Sequence, residues 1–200
     1  MLDMRRRQFI TLLAGAAAAQ SLAPAAPASA ALRVVAATTD IAALAAAVGG
    51  DLVSVEAIVP PAVDPEAFEP RFSDVEKVRH ADLLVRVGIG YDYWLEKLIN
   101  QVDDKRLMRG GNGYVDASAG IPLLEIRGQT PMNEGGHAHG VANPHYLLDP
   151  ENAVLVTAGI AEALVRLAPE QHGRIIDNRA PVGTQVTIGL RRSAPMGSAQ

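Results

Sequence analysis

Short apolar runs alternate with segments of helical period along this chain. Leu32 to Ala37, Val53 to Val59 and Leu83 to Val87 read as buried strands, with Tyr114 to Asp116 as a short fourth. Between them three segments repeat with the period of a helix: Ile41 to Val48, a stretch from Ser73 that carries Val75 and Val78, and Tyr91 to Asn100 with Trp94, Leu95 and Leu98 on one face. Pro150 to about Ala168 is the longest such segment. Strand and helix in alternation predict an α/β fold, a parallel four-stranded sheet flanked by helices. The local punctuation agrees. Gly49-Gly50 closes the first helix, and Ser73 with Glu76 has the spacing of a capping box. Asp149-Pro150-Glu151 places an N-cap, a first-turn proline and an acid at the start of the last helix.

Residues 1–30 depart from this pattern. Arg5, Arg6 and Arg7 precede an apolar stretch from Phe9 to Ala19, and Ala28-Ser29-Ala30 offers a small-residue cleavage site, so the segment reads as an export signal with the mature chain starting at Ala31. Arg6-Arg7-Gln8-Phe9-Ile10 fits a twin-arginine signal, and three arginines equally suit the basic end of a general secretory one. The apolar stretch is too short to span a bilayer and is followed by Pro24 and Pro27. The expected location is periplasmic. With no cysteine, the chain has no disulfide framework, and no lipid anchor is expected. The formal net charge of −4 becomes more negative once the three arginines are removed, which argues against nucleic acid as a partner. The mature length suits one domain with a sizeable core.

Two segments are rich in turn formers and follow strands. The first is Pro60-Pro61-Ala62-Val63-Asp64-Pro65-Glu66-Ala67-Phe68-Glu69-Pro70; the second, from Gly120 to Pro144, holds His137 and His139. Ligands of open α/β sheets bind at the carboxyl ends of the strands, where these loops are expected to converge. His145 stands between the second loop and the helix capped by Asp149. An imidazole mounted there suits a transition metal such as zinc; it equally suits a histidine packed at a helix start. The acids of the first loop read as a preorganised ligand set or as a proline-rich connector facing water. Gly88-Ile89-Gly90 lacks the third glycine of a dinucleotide loop and reads as a tight turn. Tyr91, Tyr93 and Trp94 read as core rather than as a binding wall, and His80 and His172 as solvated helix residues. The chain has no His-Glu-x-x-His helix and no Gly-x-Ser-x-Gly elbow.

Taken in order, Val34-Val35-Ala36-Ala37-Thr38-Thr39-Asp40-Ile41, Val48-Gly49-Gly50-Asp51, the Val59 to Pro70 run, Ser73-Asp74 and Asn143-Pro144-His145-Tyr146-Leu147-Leu148-Asp149-Pro150-Glu151-Asn152 resemble one family, the zinc/manganese solute-binding receptors of ABC importers. The resemblance spans roughly residues 32 to 170. It implies a two-lobed receptor with two metal ligands from each lobe, of which this chain supplies the first lobe over residues 31–177. The family's second histidine ligand falls on His145. Its first falls in an Asp-Pro-His motif, where this chain has Asp64-Pro65-Glu66, so Glu66 is a substituted ligand, and a carboxylate shifts the donor set toward harder ions. His137 and His139 match the family's variable histidine-rich loop and are the auxiliary candidates. Beyond Asp177, Pro181, Gly183 and Gly189 stand where the family continues a connecting helix, so residues 178–200 read as an atypical tail on a shortened receptor.

The expectation is a metal receptor that captures Zn²⁺ or Mn²⁺, serves a membrane ABC permease and performs no covalent chemistry. The alternatives are a metal-dependent hydrolase using the same Glu66 and His145, and a degenerate fragment that binds nothing.

Overall fold

The computed structural model describes residues 30–124 and 142–181. His137, His139, the export-signal segment up to Ser29 and the tail beyond Pro181 lie outside the described residues. Four strands, β1 (Leu32–Ala36), β2 (Val53–Ala57), β3 (Leu83–Arg86) and β4 (Tyr114–Asp116), form one sheet in the order β2-β1-β3-β4. All neighbours are parallel, with Leu32 opposite Val53, Val34 opposite Leu83 and Leu84 opposite Tyr114. The connecting helices are α1 (Thr39–Gly49), α2 (Phe72–Arg79), α3 (Leu95–Val102) and α4 (Pro150–Leu167), and a further helix, α5, covers 172–181. The α/β fold with a parallel four-stranded sheet is therefore present as the alternation predicted.

Burial explains the pattern. β3 lies in the middle of the sheet and all four of its residues are buried, which is why its sequence is a continuous apolar run broken only by Arg86. β2 is at the edge and alternates half-buried with exposed positions. α1 packs against α4 and α2 against α3, so two helix pairs cover the sheet. Ile41, Val48, Leu83, Leu84, Leu95, Leu98, Ile160 and Leu164 form the centre of the core. Among the described residues no helix is long and apolar enough to cross a membrane.

Three boundaries differ from the sequence reading, each for a local reason. α2 starts one residue earlier, because Arg71 is the N-cap and its N–H donates to the Asp74 carboxylate at 2.8 Å. Glu76 instead meets Arg79 at 3.2 Å and His80 at 3.6 Å. α3 starts at Leu95 rather than Tyr91. Gly88, Ile89 and Gly90 all take positive φ (87°, 53° and 85°), and the Asp92 carboxylate draws the chain back by accepting the N–H groups of Val87 and Gly88. Of the three aromatics expected in the core, Trp94 is buried, Tyr91 is half-buried and Tyr93 is exposed. Lastly, α5 runs without a break across Asp177, and Arg179 Nη2 donates to the Val154 carbonyl of α4 at 3.3 Å.

Arg86 is the polar exception in the core. Arg86 is 3% exposed, and its guanidinium donates to Asp92 at 2.9 Å and 3.2 Å, to Glu96 at 2.5 Å and to Tyr114 at 3.2 Å. Burial alone would lower its pKa; Asp92 beside it, with Tyr114 and Glu96, reverses that and holds the charge on. Asp92, fully buried, is pushed up by desolvation against the pull of Arg86 and two backbone N–H groups.

Candidate metal site

In the order β2-β1-β3-β4 the chain leaves β1 toward one side of the sheet and β3 toward the other, which opens a crevice at the carboxyl ends of these two strands. Every element of the candidate site lies on segments that follow a strand's carboxyl end or precede α4. After β1, the Thr38 hydroxyl donates to the Asp40 carboxylate, which also accepts the Ile41 N–H at 2.9 Å. After β2, Ile58 and Val59 continue the ladder by donating to Ala36 and Ala37 at 2.9 Å and 3.1 Å, and the proline-rich loop begins. After β3 comes the turn from Val87 to Trp94.

Glu66 is placed by its own loop. Asp64 accepts the Glu66 N–H at 2.9 Å in an Asx turn, and the Pro65 carbonyl accepts the indole N–H of Trp94 at 2.8 Å. The Trp94 ring meets Phe68 edge-on at 4.9 Å. His145 is held from both sides. Its N–H donates to the Asn143 side chain at 3.0 Å, and its neighbour Tyr146 donates its hydroxyl to the Val87 carbonyl at 2.8 Å. Asp149 caps α4 by accepting the Glu151 N–H at 2.9 Å, and Asn152 donates back to the Tyr146 carbonyl at 2.9 Å, so the approach to the helix is tied down as its residues predicted.

These two loops bring His145 Nε2 to 3.6 Å from Glu66 Oε1. Glu66 is largely covered, with 14% of its side chain exposed, while His145 keeps 43% open to solvent. Two donors of one tetrahedral zinc with bonds of about 2.1 Å stand about 3.4 Å apart, and two adjacent donors of an octahedral ion at similar bond lengths about 3.0 Å apart. The observed separation is nearer the tetrahedral spacing. Tyr91 completes the surroundings: its ring meets His145 edge-on at 5.6 Å, and burial together with Glu66, Asp40 and Asp64 raises its pKa. Tyr146 is raised further, by burial first and then by Asp116, Asp92 and Asp40.

The structure thus brings Glu66 and His145 together, while His137 and His139 fall outside the described residues. Among the described residues no group of three His, Cys, Asp or Glu side chains could hold a metal ion. His80 caps α2 beside Glu76, away from the site, and His172 is exposed at the start of α5. The sequence reading weighed Tyr91 and Trp94 as a binding wall and preferred core, and it gave Asp40 no place at the site; the structure puts all three beside it. The signal available for them was position: Asp40 follows β1, and Tyr91 and Trp94 follow β3, on the two sides of the point where the strand order reverses.

The fold defines the class first. A zinc-bound ZnuA deletion mutant superposes with a TM-score of 0.65 at 26% identity, over 78% of this chain and 55% of that one. The match is to a lobe of a solute-binding protein. The chain belongs to the family of the periplasmic zinc-uptake complex component A, ZnuA, whose model matches residues 34–187. Among curated relatives, the manganese ABC transporter substrate-binding lipoprotein scaA of Streptococcus gordonii is 31% identical over 176 residues, covering 84% of this chain and 53% of that protein. The iron ABC transporter substrate-binding lipoprotein MtsA of Streptococcus pyogenes is 31% identical over 143 residues, covering 70% and 43%. The chain therefore spans about half the length of the curated relatives it matches. These relatives are named lipoproteins, so they lend no support to the expectation that no lipid anchor is used.

Proposed function

We propose that the protein is the extracytoplasmic metal-receptor component of an ABC importer, taking a Zn²⁺ or Mn²⁺ ion on Glu66 and His145. One observation carries this reading: a carboxylate and an imidazole, on loops far apart in sequence, meet at 3.6 Å on the carboxyl edge of the sheet. The binding step is exchange of water for carboxylate oxygen and imidazole nitrogen, and it involves no covalent chemistry. The remaining coordination positions go to water or to donors beyond the described residues, with His137 and His139 as the auxiliary candidates. The carboxylate draws the site toward hard ions such as manganese; the donor spacing draws it toward four-coordinate zinc.

In this reading residues 1–30 direct export and are removed near Ala30, residues 31–177 form the metal-binding lobe, and a membrane permease receives the ion. In this reading the exported protein acts in the periplasm. Calorimetric titration of the exported protein with zinc and with manganese is the test. A Glu66→Ala, His145→Ala double variant is expected to lose at least about 100-fold in affinity for the preferred ion; unchanged affinity would refute the site.

A further inference from the structure

The turn between β3 and α3 touches both ligand-bearing loops. Trp94 donates its indole N–H to the carbonyl of Pro65, the residue before Glu66, at 2.8 Å. Tyr91 sets its ring edge-on to the imidazole of His145, with centroids 5.6 Å apart and planes at 83°. The Val87 carbonyl receives the hydroxyl of Tyr146, the residue after His145, at 2.8 Å. The turn has little freedom to shift. Asp92, at its centre and wholly buried, holds the Arg86 guanidinium at 2.9 Å and the Val87 N–H at 2.6 Å. On the other side Gly88 lies so close to β4 that a Cβ there would stand 2.1 Å from the Asp116 carboxylate and 2.4 Å from the Ser118 hydroxyl.

We infer that this turn, pinned by the Arg86–Asp92 pair, is the gauge that sets the separation of Glu66 and His145 and so the metal preference of the site, with Trp94 and Tyr91 as its positioning residues. The inference rests on the metal-receptor reading and deepens it. A braced pair held near the spacing of a tetrahedron favours a four-coordinate ion over a six-coordinate one. Loosening either contact lets the two donors relax toward the shorter spacing an octahedral ion requires. Neither Trp94 nor Tyr91 is assigned as a ligand. Groups that orient ligands without touching the metal commonly carry 10- to 100-fold in affinity, on the order of the effect expected here.

Trp94→Phe keeps the ring against Phe68 and removes the donor; Tyr91→Leu keeps apolar bulk and removes the edge contact. Zinc and manganese affinities of the exported full chain are measured by calorimetry, alongside the metal-free melting temperature and the visible spectrum of the cobalt(II) form, whose bands report coordination geometry. Each variant is expected to lose about 10-fold or more for zinc and clearly less for manganese, with a shifted cobalt spectrum; the metal-free melting temperature falls modestly in Trp94→Phe, which trims a buried ring and leaves the Pro65 carbonyl without its donor, and changes little in Tyr91→Leu. Unchanged zinc affinity in both variants overturns the gauge, and so does equal weakening of the two ions, as a merely structural role would produce. The Glu66→Ala, His145→Ala double variant separates the failures. If it binds zinc like the wild type, or if the wild type takes up neither ion, the receptor reading falls with the inference; if it loses zinc while the two turn variants do not, only the gauge falls.

Discussion

Arg86 with Asp92, and His145 with Glu66, are both pairs of a nitrogen base and a carboxylate at the carboxyl end of one sheet, and their settings are opposite. Asp92 has no exposed surface and gathers a two-pronged guanidinium contact together with two backbone N–H groups. Glu66 faces an imidazole that is 43% exposed, at a distance longer than a hydrogen bond. The first pair is closed, donor against acceptor at hydrogen-bonding distance. The second leaves a separation that an ion of zinc's size can bridge. The difference lies in local anchoring: Asp92 sits six residues from its partner within one turn, whereas Glu66 and His145 arrive on separate loops that meet only through the fold.

The sharpest break of this contrast is Asp92→Asn. It leaves Arg86 charged in the core with only the half-exposed Glu96 to answer it, and the expected cost is about 3 kcal/mol, read as a lower urea midpoint. Metal affinity is expected to fall with it, because the turn that braces both loops loses its pin. The reverse result is expected for Glu66→Ala with His145→Ala. At 3.6 Å, with the imidazole open to solvent, the pair contributes less than about 1 kcal/mol to the metal-free fold, so its melting curve without metal should barely move while zinc no longer raises it. A large loss of metal-free stability in the double variant would make the two pairs alike and erase the distinction.

Asp149→Ala tests the mount of His145 rather than the imidazole itself. Loss of the bond from the Glu151 N–H is expected to cost about 1 kcal/mol of stability by denaturant titration. The smallest expected effect is alkaline. Burial raises Tyr146, Tyr114 and Tyr91 above their unfolded value of about 10, so the unfolded chain loses these protons first as pH rises. Their contribution is complete below about pH 10 and is lost above it, and Tyr146→Phe should flatten the decline in urea midpoint across that range. A midpoint that falls as steeply in Tyr146→Phe would remove Tyr146 from the account.

Sheet class, element order and the start of α4 were legible because each is a local property. The apolar run of β3 reports burial on both faces, the helical period of α4 reports one covered side, and Asp149-Pro150 carries its capping chemistry in adjacent residues. The pairing of Glu66 with His145 on which the proposal rests was drawn from the resemblance of several motifs in series; taken alone, the first reads also as a connector acid and the second as a packed histidine. The early end assigned to the turn before α3 shows where local reading stops. Tyr91 to Trp94 carry a helical period, and a buried carboxylate at Asp92 overrides it by turning the backbone toward Arg86.

The order of strands in the sheet, and with it the meeting of Asp40, Glu66, Tyr91 and His145 at one crevice, was decided by tertiary structure alone. Pattern and capping act over a few residues, so they determine which segments become strands and helices. Which strand lies beside which depends on how the crossovers pack their apolar faces, and that is a property of the whole chain. The 3.6 Å between a loop carboxylate and a distant imidazole exists only once that packing is complete.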